Sequence, residues 1–450
     1  MLVRHGAQCS TGATMPDLSR KTGIIRMQVV EILPSGPIRG RVRVPGSKYQ
    51  ANRGLILAAL AQGESVLAPV PTNDDIRRVQ DGIAVLGADV SSDGDRVCVR
   101  GVGGRLLGGH INVNASGTFA RFVSALAGLS SEPVTIDGSA RMRERPMADL
   151  CAALRALGAS VRCGAVADAL PLTIHGPLRG GVCELPGHVS SQFLSALLLV
   201  APYAERDVSI RLTTPLVSRP FVEMTVAMMA ESGVEVNAHG DQFDITAGQR
   251  YRARRFDLEA DPCSASYFLA AAALTAGEIT VEAFNIESVQ GEARLPMLLD
   301  QMGCLIKRTA DGLKLFGPAL GLRAVDADMG NMPDVVQTVA VLAAFAKGVS
   351  RFRNIGHLAH KESNRIFDTA LELKKMGVMV EASADALIVE GGSPHGALIE
   401  THEDHRMAMS FAIAGLAIPG VRIAEPQVVG KSFPQYWDTL RGLGVQLRYE

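Results

Sequence analysis

One kind of segment recurs six times along the chain, and few folds accommodate such a pattern. Each copy opens with small or polar residues, continues as an Ala/Leu/Val-rich helix, turns, and ends in a β-branched strand. The copies span 52–67, 118–136, 191–210, 264–281, 334–352 and 405–423. Their spacing of about 70 residues is longer than that of the usual solenoid repeats. Four copies carry a glycine in the turn (Gly63, Gly277, Gly348 and Gly420), which suits a left-handed helix stop. A second kind of helix alternates with the first, at 75–90, 147–161, 222–236, 294–306, 365–380 and 434–447. It is amphipathic and closes on a glycine and a short apolar strand, as in Leu86-Gly87-Ala88-Asp89-Val90. Helices of the first kind are apolar on nearly every face and should be buried; those of the second should lie outside. Each unit is therefore two helices with a few strands, an α/β layer unit. Six units divide into two similar halves of three. The chain is expected to cross between halves near 45–48 and 258–263, the second stretch holding the turn-forming pair Asp261-Pro262.

Polar residues collect at the helix starts. The six apolar helices begin beside Lys48 and Arg53; Ser116, Gly117 and Thr118; Ser190, Ser191 and Gln192; Asp261 and Ser264; Asp334; and Asp404, His405 and Arg406. The first of these helices is expected after Asn52 and Arg53, with both cations at its mouth. Three further clusters precede or open amphipathic helices: Arg143-Glu144-Arg145-Pro146, Lys361-Glu362-Ser363-Asn364-Arg365, and Lys431. One such cluster alone is an ordinary helix cap. Repeated units packed symmetrically would instead bring Lys48, Arg53, Arg145, Lys361, Arg365, Arg406 and Lys431 to one centre that attracts anions. Asp334, Glu362 and Asp404 in the same centre can move protons. Lys361 and Arg365, four residues apart, are expected on one helix face, where like charges are unfavourable unless an anion offsets them.

Such a centre suits a small polyanion. The formal charge of the chain is −1, which gives no footprint for a nucleic acid. There is no GxxxxGK[ST] nucleotide loop, and the glycine-rich stretch 101–109 lacks GxGxxG spacing and reads as a loop. No HExxH or clustered His/Asp/Glu set points to a metal, and no cofactor is implied. No apolar run reaches the roughly 18–20 residues that span a bilayer. Residues 1–28 read as a flexible N-terminal extension, without the continuous apolar run of a secretory leader. The seven cysteines are scattered with no CxxC, as expected of reduced thiols in the cytoplasm. A monomer acting on small molecules is the expectation.

Taken in order, these motifs resemble the enolpyruvyl transferases, most closely the branch of 5-enolpyruvylshikimate-3-phosphate (EPSP) synthases. The likeness covers 29–448 and rests on Pro45-Gly46-Ser47-Lys48 with Asn52-Arg53; Ser116-Gly117-Thr118 with Arg121; 141–146; and Ser190-Ser191-Gln192-Phe193. It continues through Ser218-Arg219-Pro220, the stretch beginning at Ser264, Met332-Pro333-Asp334, 361–365, Asp404-His405-Arg406 and 430–434. The resemblance implies two similar globular domains, each of three βαβαββ repeats in an inside-out α/β barrel, closing on substrate at a hinge. One domain would run 48–261; the other would be discontinuous, 29–47 plus 262–450. It implies transfer of the enolpyruvyl (carboxyvinyl) group of phosphoenolpyruvate (PEP) to an acceptor hydroxyl, with release of phosphate and no metal. By the same resemblance PEP is bound by Lys48, Gly117, Arg145, Gln192, Arg365, Arg406 and Lys431. C3 of PEP gains a proton as the acceptor hydroxyl loses one, and elimination takes a C3 proton back as phosphate leaves, so at least two acid/base groups must face the reacting carbons. Asp334 and Glu362 match the family's carboxylates, Lys48 shares the work, and Asp404 and His405 support them.

For the acceptor, the resemblance implies Tyr49, Arg53, Ser190, Ser191, Gln192, Ser218, Phe221, Asp334, His357 and Lys361. Here the chain departs from the family pattern. Tyr49 replaces a Ser, Ala115 an Asn and Phe221 a Tyr; His357 stands where some members have Asn, and Asn364 where Asp is common. Two acceptors follow: shikimate 3-phosphate, or a nucleoside monophosphate such as UMP in specialised metabolism. The UDP-sugar branch is disfavoured, because its loop Cys has no counterpart near 141–145 and Cys151 falls within the following helix. A catalytically silent relative is disfavoured by retention of the PEP-side cations and both carboxylates. Gly117 leaves room for glyphosate to compete with PEP.

Overall fold

The structure, a computed structural model, describes residues 28–450. The extension expected at 1–28 lies, apart from Gln28, outside the described residues. Six four-stranded sheets are present among them, one per repeat. In the second repeat, strand Gly109–Asn112 leads through helix Gly117–Ala127 to the parallel strand Val134–Asp137. Helix Ala148–Ala156 then leads to strand Ser160–Cys163, and strand Leu172–His175 returns between the two, antiparallel to both. The spatial order is first, second, fourth, third, and every sheet follows it. This is the expected βαβαββ unit, six times over.

Three sheets are completed by chain from far away. Strand Arg39–Val42 supplies the first position beside Glu278–Glu282. Strand Arg255–Asp257 supplies the first position beside Gln62–Ala68, and Val29–Ile32 supplies the fourth beside Val421–Ala424 and Leu447–Tyr449. Each set of three repeats is thereby closed on itself. One apolar core gathers buried residues from Tyr49 to Cys263; the other gathers Val30 to Val44 with Ala265 to Val445. Between them the chain crosses twice, side by side: Ser47 N–H donates to Glu259 O, and Asp261 N–H to Pro45 O.

The inner helices are buried on all sides. In Lys48–Leu60, Gly117–Ala127 and Ser191–Val200 the only residues not buried are Gln50, Thr118 and Gln192. Helices Val336–Ala344 and His405–Ala414 are buried throughout. Each enclosed Leu, Val or Phe contributes about 1.5–3 kcal/mol. The outer helices bury one stripe, as Ile76, Val79 and Ile83 do in Asp74–Val85. Among the turn glycines, Gly63, Gly348 and Gly420 have positive φ, but Gly277 does not. Gly277 is required by contact, because a Cβ there would lie 2.1 Å from Ile38 O.

Two local expectations are corrected. The first apolar helix starts at Lys48, not after Arg53, because Ser47 caps it by accepting from Gln50 N–H and Lys48 N–H donates to Asp261. Arg53 therefore sits in the second turn, away from the helix mouth. Lys361 and Arg365 do not share a helix face: Asn364 caps Arg365–Lys375, and Lys361 precedes that helix in a bend. Among the described residues no helix is long and apolar enough to cross a membrane.

Candidate active site

The N-terminal ends of the inner helices meet between the two cores, and most of the expected cations arrive there. Arg365 is the centre of the arrangement. Its Nη1 donates to Asp334 Oδ1 at 2.6 Å, its Nη2 to Glu362 Oε2 at 2.9 Å, and its Nε to Asp404 Oδ2 at 2.6 Å. Asp404 also caps its own helix by accepting from Arg406 N–H. One guanidinium therefore holds three carboxylates, which raises the Arg365 pKa further although burial opposes it.

Around Glu362 stand two more cations. Lys431 Nζ donates to it at 2.9 Å and also to Ala115 O, and Arg145 Nη1 lies 3.7 Å away. Burial would raise the Glu362 pKa, but Lys431, Arg365 and Arg145 outweigh it and hold the carboxyl well below its usual range. Lys48 Nζ donates to Asp75 at 2.8 Å; burial works against the ammonium, and Asp75 more than offsets it, so its pKa is raised. Arg145 lies so close to the backbone of Gly117 that a Cβ there would be 2.4 Å from Nη1. Gln192 Nε2 donates to Thr118 Oγ1.

Asp334 is held from the other side by Arg406, whose Nη2 is 3.3 Å from Oδ2, and by the phenol of Tyr49, which donates to the same oxygen. Burial would raise the Asp334 pKa, yet Arg406, Lys361 and Arg365 keep it well below the usual range. Arg406 Nη2 donates to Tyr49 Oη at 2.8 Å and its Nη1 to Tyr267 Oη. Lys361 has a lowered pKa, because burial outweighs the attraction of Asp334. His405 is buried with both ring nitrogens unpartnered, and burial together with Arg406 and Lys48 lowers its pKa well below normal, so it is neutral.

Ser190, Ser191, Gln192, Ser218, His357 and Lys361 line a small cavity of about 20 Å³ with Arg121 and Arg145. It adjoins a cleft of about 670 Å³ that shares Ser218, His357 and His360 with it. Ser218 Oγ and His357 Nε2 are 3.3 Å apart across the cleft. Burial, with Lys361 nearby, lowers the His357 pKa to about 3. Arg53 is not part of this lining. Its nitrogens donate to Thr225 Oγ1, Tyr49 O and Phe221 O, and burial lowers its pKa to about 9.

Sequence reasoning missed several neighbours. Asp75, the partner of Lys48, lies in the first turn after the Asn73 cap, a position that invites acidic residues for purely helical reasons. Glu292 carried no signal at all. It is fully buried beneath Asp334, accepts from Asp334 N–H, and is pushed up to about 8 by burial and by the Asp334 charge. With Cys263 and Asp334 it brings a thiol and two carboxylates within 4.8 Å. Arg365, Arg406 and Tyr49 already engage Asp334, so this trio lies among cations.

A buried pair of carboxylates set among fixed cations can hold a small polyanion and move protons on it. The comparisons agree. The family model described as EPSP synthase (3-phosphoshikimate 1-carboxyvinyltransferase) matches residues 32–440. The chain is 41% identical over 416 residues to the 3-phosphoshikimate 1-carboxyvinyltransferase of Methanosphaerula palustris, covering 91% of this chain and 98% of that one. The enzyme of the same name from Nostoc punctiforme is 40% identical over 407 residues, covering 89% and 95%. The solved EPSP synthase of Acinetobacter baumannii superposes with a TM-score of 0.79 at 25% identity, covering 94% of this chain and all of that one.

Proposed function

The chain belongs to the EPSP synthase family, and on that premise we propose that it moves the enolpyruvyl group of PEP to the hydroxyl of shikimate 3-phosphate and releases phosphate. The observation that carries the mechanism is Arg365 set between Asp334 and Glu362, which fixes two acid/base carboxylates on either side of one cation. The cations fall into two groups that match the two ends of PEP. Lys48, Arg145 and Lys431 gather on the Glu362 side, with Gln192 and the Gly117 backbone, and receive the phosphate. Arg365 and Arg406, planar donors suited to a planar anion, receive the carboxylate.

Asp334, kept ionised by Arg406, Lys361 and Arg365 although burial opposes it, takes the proton of the acceptor hydroxyl. Glu362 is ionised in the empty site because Lys431, Arg365 and Arg145 hold it so. Bound PEP draws these cations to itself and adds negative charge, which raises the Glu362 pKa. Glu362 then carries the proton that reaches C3; in the elimination it takes a C3 proton back, and the proton held by Asp334 leaves with the phosphate. The cations offset the charge of the departing phosphate. Lys48 supports the proton transfers; Asp404 orients Arg365 and Arg406, and neutral His405 fills the space beside them.

In this reading the two cores act as two domains, 48–261 and 29–47 with 262–450, that close on substrate about the paired crossover at 45–47 and 259–261. The six cysteines among the described residues are free thiols, in keeping with a reduced cytoplasm. Phosphate release from PEP, assayed with shikimate 3-phosphate, UMP and UDP-N-acetylglucosamine as rival acceptors, tests the proposal. Turnover with shikimate 3-phosphate is expected; turnover only with another acceptor, or with none, rejects it.

A further inference from the structure

Three successive carbonyls in the bend that carries Lys361 and Glu362 are reached from the opposite half of the molecule. Arg145 Nε donates to His360 O at 3.3 Å, Arg141 Nη2 to Lys361 O at 3.2 Å, and Arg141 Nε to Glu362 O at 3.0 Å. The bend runs from the 3-10 turn Gly356–His360 to the Asn364 cap of helix Arg365–Lys375. Among the described residues no backbone N–H donates to any of these three carbonyls. A main-chain carbonyl without a partner is unfavourable once water is excluded, so the two guanidiniums complete the hydrogen bonding of the segment. Both flank one short helix, Ala140–Glu144, which starts on the Ser139 cap. Its Met142 is buried in the first apolar core, whereas Leu358 and Ile366, on either side of the bend, are buried in the second. Arg141 is held on its remaining edge too, because Nη1 donates to Glu144 Oε2 at 2.9 Å.

Arg141 differs from Arg145 in what it faces. Arg145 lines the small cavity; Arg141 lines neither that cavity nor the cleft, and its side chain is 36% exposed. The Glu362 carboxylate is held by Lys431 and Arg365, which stand on the same core as Glu362 itself. We propose that Arg141 is a positioning residue that couples the joining of the two cores to proton transfer by Glu362. It grips the Lys361 and Glu362 backbone across the interface and so aligns both side chains with Lys48, Gly117 and Gln192 of its own half. The inference rests on the enolpyruvyl transfer proposed for the chain. A fork that meets two adjacent carbonyls through two of its N–H groups sets a direction as well as a distance, which an ammonium does not. Separation of the cores breaks both bonds, and the Glu362 carboxylate then keeps its own cations but loses its alignment. Misalignment of this kind lowers rate and spares affinity: a displacement of about 1 Å costs turnover up to about 100-fold.

The parent, Arg141→Ala and Arg141→Lys separate this role from a structural one. With shikimate 3-phosphate as acceptor, kcat of Arg141→Ala is expected to fall about 30-fold while KM for PEP stays within about 3-fold of the parent, since every cation assigned to PEP remains. Arg141→Lys should recover only part of kcat. Guanidinium ion, added well below denaturing concentration, should raise kcat of Arg141→Ala but not that of the parent. A parent-like kcat, or a loss carried in KM alone, overturns the proposal. A kcat loss that guanidinium leaves untouched and that accompanies a fallen urea midpoint makes Arg141 structural and overturns it as well. Hydrogen exchange without substrate reads the bend directly. Peptides within 356–367 should exchange at least about 10-fold faster in Arg141→Ala, while those of helix Val336–Ala344 keep the parent rate. Parent-like exchange in 356–367 overturns the proposal. A parent chain that turns over no acceptor overturns the functional reading instead, and the exchange comparison then decides by itself whether Arg141 holds the bend.

Discussion

Gly117 faces Arg145 so closely that a methyl group on its Cα would stand 2.4 Å from Nη1 and 2.6 Å from Cζ of that guanidinium. No side-chain adjustment of the methyl is possible, so Arg145 must move. It would leave His360 O, to which Nε donates at 3.3 Å, and its place beside Glu362. Gly117→Ala is therefore expected to raise KM for PEP by about 10–100-fold, the loss of one or two charge-assisted hydrogen bonds. Glyphosate should compete with PEP in the parent and less well in the variant. An unchanged KM in steady-state assays would show that Arg145 does not touch PEP.

Of the three carboxylates on Arg365, Asp334 and Glu362 should be individually indispensable. Glu362→Gln and Asp334→Asn keep shape and one accepting oxygen but remove the charge that takes up a proton. Each should lower turnover at least about 100-fold, the scale of general acid/base catalysis, with the chain still folded by circular dichroism. Near-parent turnover in either variant would remove that residue from the proton transfers.

The repeat was legible in the sequence because burial on every face leaves a compositional mark: helices such as Pro262–Leu274 admit little but small and apolar residues. The cation centre was legible because repetition placed its members at equivalent helix starts. What escaped were the partners. Asp75 looks like any first-turn acid, and Glu292 lies in a short 3-10 turn whose sequence carries no periodicity. Arg53 misled for a related reason. Charge in a sequence says nothing of direction, and this guanidinium turns inward to two carbonyls and a hydroxyl rather than toward the cleft. The Ser47 and Asn364 caps, which set where two helices begin, are single hydrogen bonds that no pattern of polarity distinguishes from their neighbours.

Asp75 gives a test of Lys48. The ammonium is buried, and the Asp75 carboxylate at 2.8 Å is the principal interaction that keeps its pKa raised. Asp75→Asn removes that support and leaves the burial cost, so the Lys48 pKa must fall. If protonated Lys48 binds the PEP phosphate, the alkaline limb of kcat/KM for PEP should move at least about one pH unit toward neutrality, the effect of losing a close opposite charge. A limb that stays where it was assigns that titration to another group.

His357 gives acid pH a specific cost. In the unfolded chain its pKa is near 6.5; in the fold, burial and then Lys361 lower it to about 3. A depressed folded pKa means that the unfolded state binds the proton first, so the associated stability is complete above pH 6.5 and is lost as pH falls toward 3. Between pH 7 and pH 5 the loss from this group alone is about 2 kcal/mol. Other buried groups, His405 and the arginine-held carboxylates, are shared by parent and variant and cancel in the comparison. His357→Asn, which places an uncharged polar side chain near Ser218, removes the titration. Urea unfolding at the two pH values should therefore show the parent losing about 2 kcal/mol more than the variant. Parallel losses in both proteins would mean that the His357 ring is accessible enough to protonate within the fold.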